Sequence, residues 1–431
     1  MTDAAAGDPV TTNGVGAPPA PPAPPAPGAC DGGRPVLLEV RHLVQEFAIR
    51  NAGGVKGGML QAVSDVSFEL RAGEALGVVG ETGSGKSTLA RSVIQAPPPK
   101  SGEVIFDGVD LTTLKRREME RLRRRMQMVF QDPFGSLDPK WKVNDVVAEP
   151  LVAFKVGDRG ERRQRVAELL DLVGLDPEVH GVRRPNQLSG GQAQRVAIAR
   201  AIALSPDLVI CDEAVSSLDV LVQAQVLNLF EKLRQELRLA YLFIAHDLAL
   251  VKQVSDRVMV MYLGKVCEIG PGQSLYEEPL HPYTYALLKS IPDPDPKVAR
   301  VRTTEVISGE LPSPLDPPSG CRFRTRCPRA EARCAEEVPE LRMLRAGHQV
   351  ACHFPLPGKD GVGKDGTRKD GTRKDGTRQD GTGTAAPVTA APGTAAPGAA
   401  APVTGGREHD QEAQGRNDTR RDMRARETGE R

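Results

Sequence analysis

The chain has 431 residues, with 57 Lys and Arg against 56 Asp and Glu, for a formal charge of +1. That balance argues against a protein that coats nucleic acid by bulk electrostatics, and no apolar run approaches the roughly 18–20 residues needed to span a bilayer. The first residues lack a basic lead and an apolar core, so no secretory signal is expected. The seven cysteines then read as reduced thiols or ligands rather than disulfides.

Residues 1–35 hold 9 Pro, 8 Ala and 6 Gly, too little apolar side chain to offset the entropy of ordering, and are expected to form a disordered arm. Apolar and β-branched runs predict strands at 36–40, 63–70, 76–79, 104–106, 126–130, 208–211, 241–245 and 258–261. Helices are predicted at 87–95, 161–173, 192–204 and 220–237; in the last, Val226, Phe230, Leu233 and Leu237 recur at helical spacing. Short strands alternating with helices imply an α/β fold with a largely parallel, two-sided sheet. The helix-rich stretch 132–187 interrupts that alternation and reads as an inserted helical subdomain. Residues 115–125 carry seven basic and two acidic residues without interleaved aromatics, which reads as a solvated helix rather than a lipid or RNA surface. Five pentapeptide units begin at Lys359, Lys364, Lys369, Lys374 and Gln379. A five-residue repeat is far too short for a solenoid, so 357–431 reads as a low-complexity, disordered tail.

Residues 80–88 read GETGSGKST, a phosphate loop after a predicted strand and at the opening of a helix. Gly80, Gly83 and Gly85 let the backbone wrap so that the N–H groups of Glu81, Thr82, Ser84 and Thr88 and their neighbours can face phosphate oxygens, and the helix N-terminus adds partial positive charge. Lys86 is placed to neutralise β- and γ-phosphates, and the Ser87 hydroxyl suits the shell of Mg²⁺. The strand 208–211 runs into Asp212-Glu213, at the edge where ligands of open α/β sheets collect. Asp212 would hold Mg²⁺ and Glu213 would orient or deprotonate the attacking water. His246 follows the next strand and points to the same edge. At 188–192 the chain reads LSGGQ, in which Ser189 and two glycines open a second helix with an anion-binding N-terminus. One active site has no use for two such helices, unless the second serves another subunit's nucleotide.

This ordered set resembles the ATP-binding-cassette (ABC) ATPases across nearly all of the foldable stretch: the loop at 80–88, Gln131 after a strand, LSGGQ, 208–213, Ser217-Leu218-Asp219 and His246. The resemblance implies a P-loop NTPase domain of ABC type at 36–270, a head-to-tail dimer with itself or a homologous second ATPase, and two ATP molecules at the interface. Ser189, Gly190, Gly191 and Gln192 would reach the γ-phosphate bound by the partner. Gln131 would couple Mg²⁺ and water to the helical subdomain, Asp219 would link the two sites, and His246 would contact the γ-phosphate. Glu213 would be the general base and Phe47 would stack on adenine, although Phe47 can equally pack against the first strands. Ala214 and Ser217 depart from the family's usual proline and alanine without removing a reacting group, so ATPase activity is expected.

FQDPFGSLDP at 130–139, HPYTYALL at 281–288 and LPSPLDPPSGCRFRTRCP at 311–328 resemble the oligopeptide/dipeptide importer branch, and GKSTLAR and SLDP resemble its second ATPase subunit. The resemblance implies an importer's ATPase on the cytoplasmic face of the membrane, with two permease subunits docking near 132–141 and an extracytoplasmic solute-binding protein, and no nucleic acid. A nickel or other small-solute importer shares these motifs; a non-transport ABC protein would show paired cassettes or a coiled coil. The short C-terminal region, 271–356, contains Cys321, Cys327, Cys334 and Cys352 with five arginines between the first and third. Cationic neighbours would favour thiolates, and the resemblance suggests a [4Fe–4S] cluster. A zinc site completed by His348 or His353, or four unligated thiols, are the alternatives. Because these cysteines lie beyond the ATPase motifs, a structural role that spares ATP binding is expected of them.

Overall fold

The computed structural model describes residues 33–50, 56–291 and 309–357. The expectations for residues 1–32 and for the repeats and tail beyond 357 lie outside the described residues.

The chain opens with a hairpin of β1 (Val36–Arg50) and β2 (Lys56–Arg71). Both strands outrun their apolar cores because antiparallel pairing continues through polar residues, from Val36 opposite Arg71 to Arg50 opposite Lys56. The pairing register shifts between Val40 and Leu43, around His42 in a left-handed conformation. β4 (Ser101–Phe106) and the short β5 (Val109–Asp110) complete an antiparallel sheet in the order β2-β1-β4-β5.

The second sheet contains β3 (Ala75–Val79), β6 (Met126–Val129), β7 (Leu208–Asp212), β8 (Ala240–Ile244), β9 (Arg257–Tyr262), β10 (Lys265–Pro271), β11 (Arg342–Arg345) and β12 (His348–Val350). Its order is β11-β12-β10-β9-β3-β8-β7-β6. Strands β9, β3, β8, β7 and β6 run parallel, so their C-terminal ends share one edge. β10, β12 and β11 extend the other flank in antiparallel fashion.

Side-chain alternation divides the interior into two cores. Val209, Cys211, Tyr241, Phe243, Val258 and Val260 face the helical core. Their neighbours Leu208, Ile210, Leu242, Ile244, Met259 and Met261 face the antiparallel sheet. α1 (Lys86–Val93) lies between the two sheets, with Leu89, Ala90 and Val93 in that second core, whereas α2 (Arg116–Arg123) is the basic helix expected, burying only Met119. The inserted helices are α3 (Pro133–Ser136), α4 (Val143–Ala153), α5 (Arg159–Leu172) and α6 (Pro177–His180). Val143, Val147 and Leu151 of α4 and Val166 and Leu170 of α5 share one core with Val196 of α7 (Gly190–Ile202). α8 (Val220–Leu237) and α9 (Leu248–Val254) cover the helical face of the sheet. Gly77 of β3 must be glycine, because a Cβ there would lie 2.0 Å from Val251 Cγ1 of α9.

The chain's C-terminal part joins the same sheet through β12, with Glu268 of β10 opposite Val350. It also supplies α10 (Gly272–Glu277), α11 (Pro282–Lys289) and α12 (Ala332–Glu336). Glu268, fully buried, accepts the backbone N–H groups of Leu280 (2.7 Å) and His281 (3.0 Å) and lies 2.7 Å from His348 Nε2. One carboxylate thus ties β10, β12 and the start of α11. Glu268→Leu would orphan two buried N–H donors and an imidazole, at about 1–3 kcal/mol each. The expected outcome is a clear drop in melting temperature by thermal denaturation, with Glu268→Gln, which keeps an acceptor, losing less.

Candidate functional site

Four parallel strands deliver the candidate residues to one edge. β3 ends at Val79 and leads through residues 80–85 into α1; β6 leads to Gln131, β7 ends at Asp212 and β8 leads to His246. The loop's sharp wrap needs its glycines. Gly80 (φ 154°) and Gly85 (φ 99°) have conformations that L side chains rarely adopt. A Cβ on either would lie 2.1 Å from a backbone oxygen, that of Met261 or of Ala62. Gly83 (φ 81°) needs the same freedom with open space around it.

Lys86 is 4% exposed. Its Nζ donates to the carbonyls of Gly80 (2.8 Å) and Glu81 (3.1 Å) and lies 3.5 Å from Ser84 Oγ. Burial pushes its pKa down, while the carboxylates of Glu213, Asp212 and Glu81 act the other way. The Ser87 hydroxyl donates to Asp212 Oδ1 at 2.7 Å. Those two hard oxygen groups, side by side at a helix N-terminus, suit Mg²⁺. Gln131 Nε2 donates to Glu213 Oε2 at 2.9 Å. Glu213 itself is left-handed (φ 50°), turning the chain as it leaves β7. Thr82 and Gly83 are exposed, and Thr88 is half-buried on α1.

The remaining candidates stand apart from this group of contacts. Ser189 caps α7: its Oγ accepts the Gln192 N–H (3.3 Å) while Gln192 Oε1 accepts the Ser189 N–H (3.0 Å). The Ser189 hydroxyl keeps its own proton for donation. Gly190 is half-buried against Leu218, and Gly191 is buried where a Cβ would lie 2.4 Å from Val222 Cγ1. Asp219 caps α8 by accepting the Val222 N–H at 3.0 Å, and His246 is exposed. Phe47 of β1, half-buried, pairs with Leu60 of β2.

The comparisons with known proteins agree with this geometry. Residues 63–216 match the ABC transporter family, and residues 267–334 match the C-terminal region of oligopeptide/dipeptide transporters. The chain is 48% identical over 316 residues to a putative peptide import ATP-binding protein of Brucella ovis, covering 73% of this chain and 97% of that protein. It is 47% identical over 321 residues to the oligopeptide transport ATP-binding protein AppF of Bacillus subtilis, covering 74% and 97%. The chain belongs to the ATP-binding subunits of the oligopeptide/dipeptide ABC transporter family. A solved dimeric cassette in a post-hydrolysis state, bound to ADP and Pi, is 28% identical and superposes with a TM-score of 0.50 over 55% of this chain and 98% of its own. This family member is an ATPase with the ABC cassette fold, and among its described residues no helix is long and apolar enough to cross a membrane.

The C-terminal region of the ATPase brings Cys321, Cys327, Cys334 and Cys352 around one cavity. Among the described residues no three His, Cys, Asp or Glu side chains stand in ligating geometry, so what the structure shows is four soft donors sharing a cavity. At Cys321, Cys327 and Cys352 the expectation of thiolates is not met. Burial pushes Cys321 up to about 11 and Cys352 up to about 12, and raises Cys327 as well. Arg329 lowers only Cys327, as a lesser effect. Four of the arginines are occupied elsewhere: Arg322 on Gln61 and Ser64, Arg324 on Ser319, Arg326 on Glu81 and Arg333 on Glu337. Metal binding there would have to displace protons. His348 is no candidate zinc ligand, since both its ring nitrogens are engaged, by Glu268 and by Ser274. His353 does line the cavity.

The sequence reading missed Tyr283 and Arg326, which contact Glu81 of the phosphate loop from the C-terminal region. Both lie inside segments quoted above as family markers, but nothing in their spacing from residue 81 signals the contact. For the loop itself the expected outcome is direct: Lys86→Ala should abolish Mg-ATP binding by calorimetry, because it removes the ammonium that the loop carbonyls hold for the triphosphate. An unchanged affinity would remove Lys86 from the site.

Proposed function

We propose that this ATPase powers import of oligopeptides or dipeptides, through an ATP-sandwich dimer formed with itself or with a homologous second ATPase. The observation that carries the mechanism is Glu213, held by Gln131 at 2.9 Å beside the Ser87–Asp212 pair. ATP would lie along residues 80–88, with its β- and γ-phosphates against Lys86 and the loop N–H groups, and its adenine against Phe47. Mg²⁺, when bound, offsets charge on the β- and γ-oxygens, and Ser87, Asp212 and Gln131 would hold it. Glu213 would take the proton of the attacking water, Gln131 would orient that carboxylate, and His246 would contact the γ-phosphate.

Ser189–Gln192 would complete the partner's site. Exposure supports this reading: Val220 (81%) and Leu221 (78%) follow Asp219, which would link the two sites, and apolar side chains so exposed suit a protein interface. Phe130, Phe134 and Trp141 are likewise exposed around the segment proposed to dock two membrane permeases. That docking would place the subunit peripherally on the cytoplasmic face, with an extracytoplasmic solute-binding protein supplying cargo. The peptide cargo follows the relatives' names and the match over residues 267–334. We assign 36–270 to the cassette and 271–356 to the C-terminal region.

Glu213→Gln is the test of the mechanism. It should keep Mg-ATP binding and slow hydrolysis by roughly 10²–10⁴-fold, the range for a general base. Size-exclusion chromatography should then show an ATP-trapped dimer, alone or with its partner subunit. Hydrolysis at the wild-type rate would assign the water to another group.

We propose that Cys321, Cys327, Cys334 and Cys352, four soft donors lining one cavity, would close around a [4Fe–4S] cluster, whose sulfur-bridged irons require four such donors. Anaerobic purification should give a coloured protein with stoichiometric iron and acid-labile sulfide. A colourless protein lacking both, made with ample iron, would overturn the cluster, and stoichiometric zinc would replace it.

A further inference from the structure

Glu81 is the second residue of the phosphate loop, and it is held at both its backbone and its side chain from far along the chain. Its backbone N–H donates to Tyr283 Oη at 3.0 Å. Its carboxylate accepts Arg326 Nη1 on both oxygens, at 2.8 and 3.1 Å. The Arg326 side chain is only 9% exposed. It lies over the Tyr262 ring, 5.8 Å from the centroid, with Nη1 3.3 Å from Tyr262 Oη. A surface ion pair contributes little, but this one is half-buried, with the Glu81 side chain 25% exposed, and a charge-assisted, two-oxygen contact fixes its geometry.

Glu81 also holds the lysine, since Lys86 Nζ donates to the Glu81 carbonyl. Side chain, N–H and carbonyl of this one residue therefore join the C-terminal region to the group that meets the triphosphate. The connection continues to the cysteines. Arg326 directly precedes Cys327, and Phe323, which lines the cysteine cavity, packs its ring 5.3 Å from Tyr262 and 5.2 Å from Tyr283. Arg322, the residue after Cys321, grips the strand β2 side of the loop through Gln61 Oε1 (2.7 Å), Ser64 Oγ (2.9 Å) and the carbonyl of Leu263.

We propose that Arg326 and Tyr283 are positioning residues for nucleotide binding: they lock Glu81, whose carbonyl helps orient Lys86, so that the cysteine segment sets the ATP affinity of the phosphate loop. This rests on the reading of residues 80–88 as the ATP site. It reverses the expectation that the cysteine region spares ATP binding. Two contacts acting on one residue pre-organise the loop, and the cost of ordering it is met in folding rather than on binding.

The test uses the full-length chain, with Mg-ATP affinity by calorimetry and, in the assembled transporter, KM and kcat for ATP. Arg326→Gln should weaken Mg-ATP binding about 5–50-fold, within the usual range of a coupling between sites, raising KM more than it lowers kcat. Tyr283→Phe, which deletes one hydroxyl and keeps the aromatic packing, should weaken it at least about threefold, and it carries the test alone if Arg326→Gln does not fold. Arg326→Lys should recover part of the affinity. In a double-mutant cycle, Glu81→Gln with Arg326→Gln should be no weaker than the worse single variant. Wild-type affinity in both Arg326→Gln and Tyr283→Phe, or full additivity in the cycle, would overturn the proposal. Lys86→Ala separates the two readings: if it too binds Mg-ATP normally, the site assignment itself fails.

Discussion

A short backbone loop that accepts no side chain at two of its turns governs the nucleotide edge of this molecule. The carbonyls of Met261 and Ala62 approach residues 80 and 85 so closely that a methyl group at either would collide with backbone. That closeness lets residues 80–85 curl tightly enough for α1 to begin at Lys86, and it commits β9 and β2 to being the loop's walls. Neither wall can shift without the loop. Gly264, at the β9–β10 turn, reinforces the arrangement by donating to the Ser84 carbonyl at 2.9 Å and accepting the Ser64 N–H.

Around that loop the parallel sheet does the positioning. β8 separates β3 from β7, yet Ser87 reaches Asp212 because α1 starts directly over the strand ends. The buried ammonium of Lys86 sits among three carboxylates that oppose the effect of its own desolvation. Mutual dependence of this kind lets a cation persist in a nearly dry position: the acids favour its charge, and the loop carbonyls satisfy its protons.

What the sequence made legible was local chemistry and short-range pattern. The loop at 80–88, the Asp212-Glu213 strand end and the LSGGQ helix start each carry their meaning within a few residues, and their strands and helices could be read to within a few positions. The long-range partners were not legible. Arg326 lies 245 residues from Glu81, and nothing in either segment encodes the other. The cysteines show the same limit. Counting nearby arginines predicted thiolates, but charge acts through space and not along the chain, and these guanidinium groups point to Gln61, Ser319, Glu81 and Glu337. Short β12 also escaped notice, because polar residues such as His348 and Gln349 interrupt its apolar pattern, and its burial depends on pairing with β10.

The shared sheet makes the two sequence-defined parts of the chain inseparable in practice. Residue 270 falls inside β10, and β12 covers that strand's free side through Glu268 opposite Val350 and Ile269 opposite Gln349. A shortened cassette ending at that point would expose an apolar strand carrying Val266, Cys267 and Ile269 with its backbone donors and acceptors unpaired. Such an edge templates strand addition from another molecule. Aggregation, rather than a merely inactive monomer, is the expected fate of that fragment.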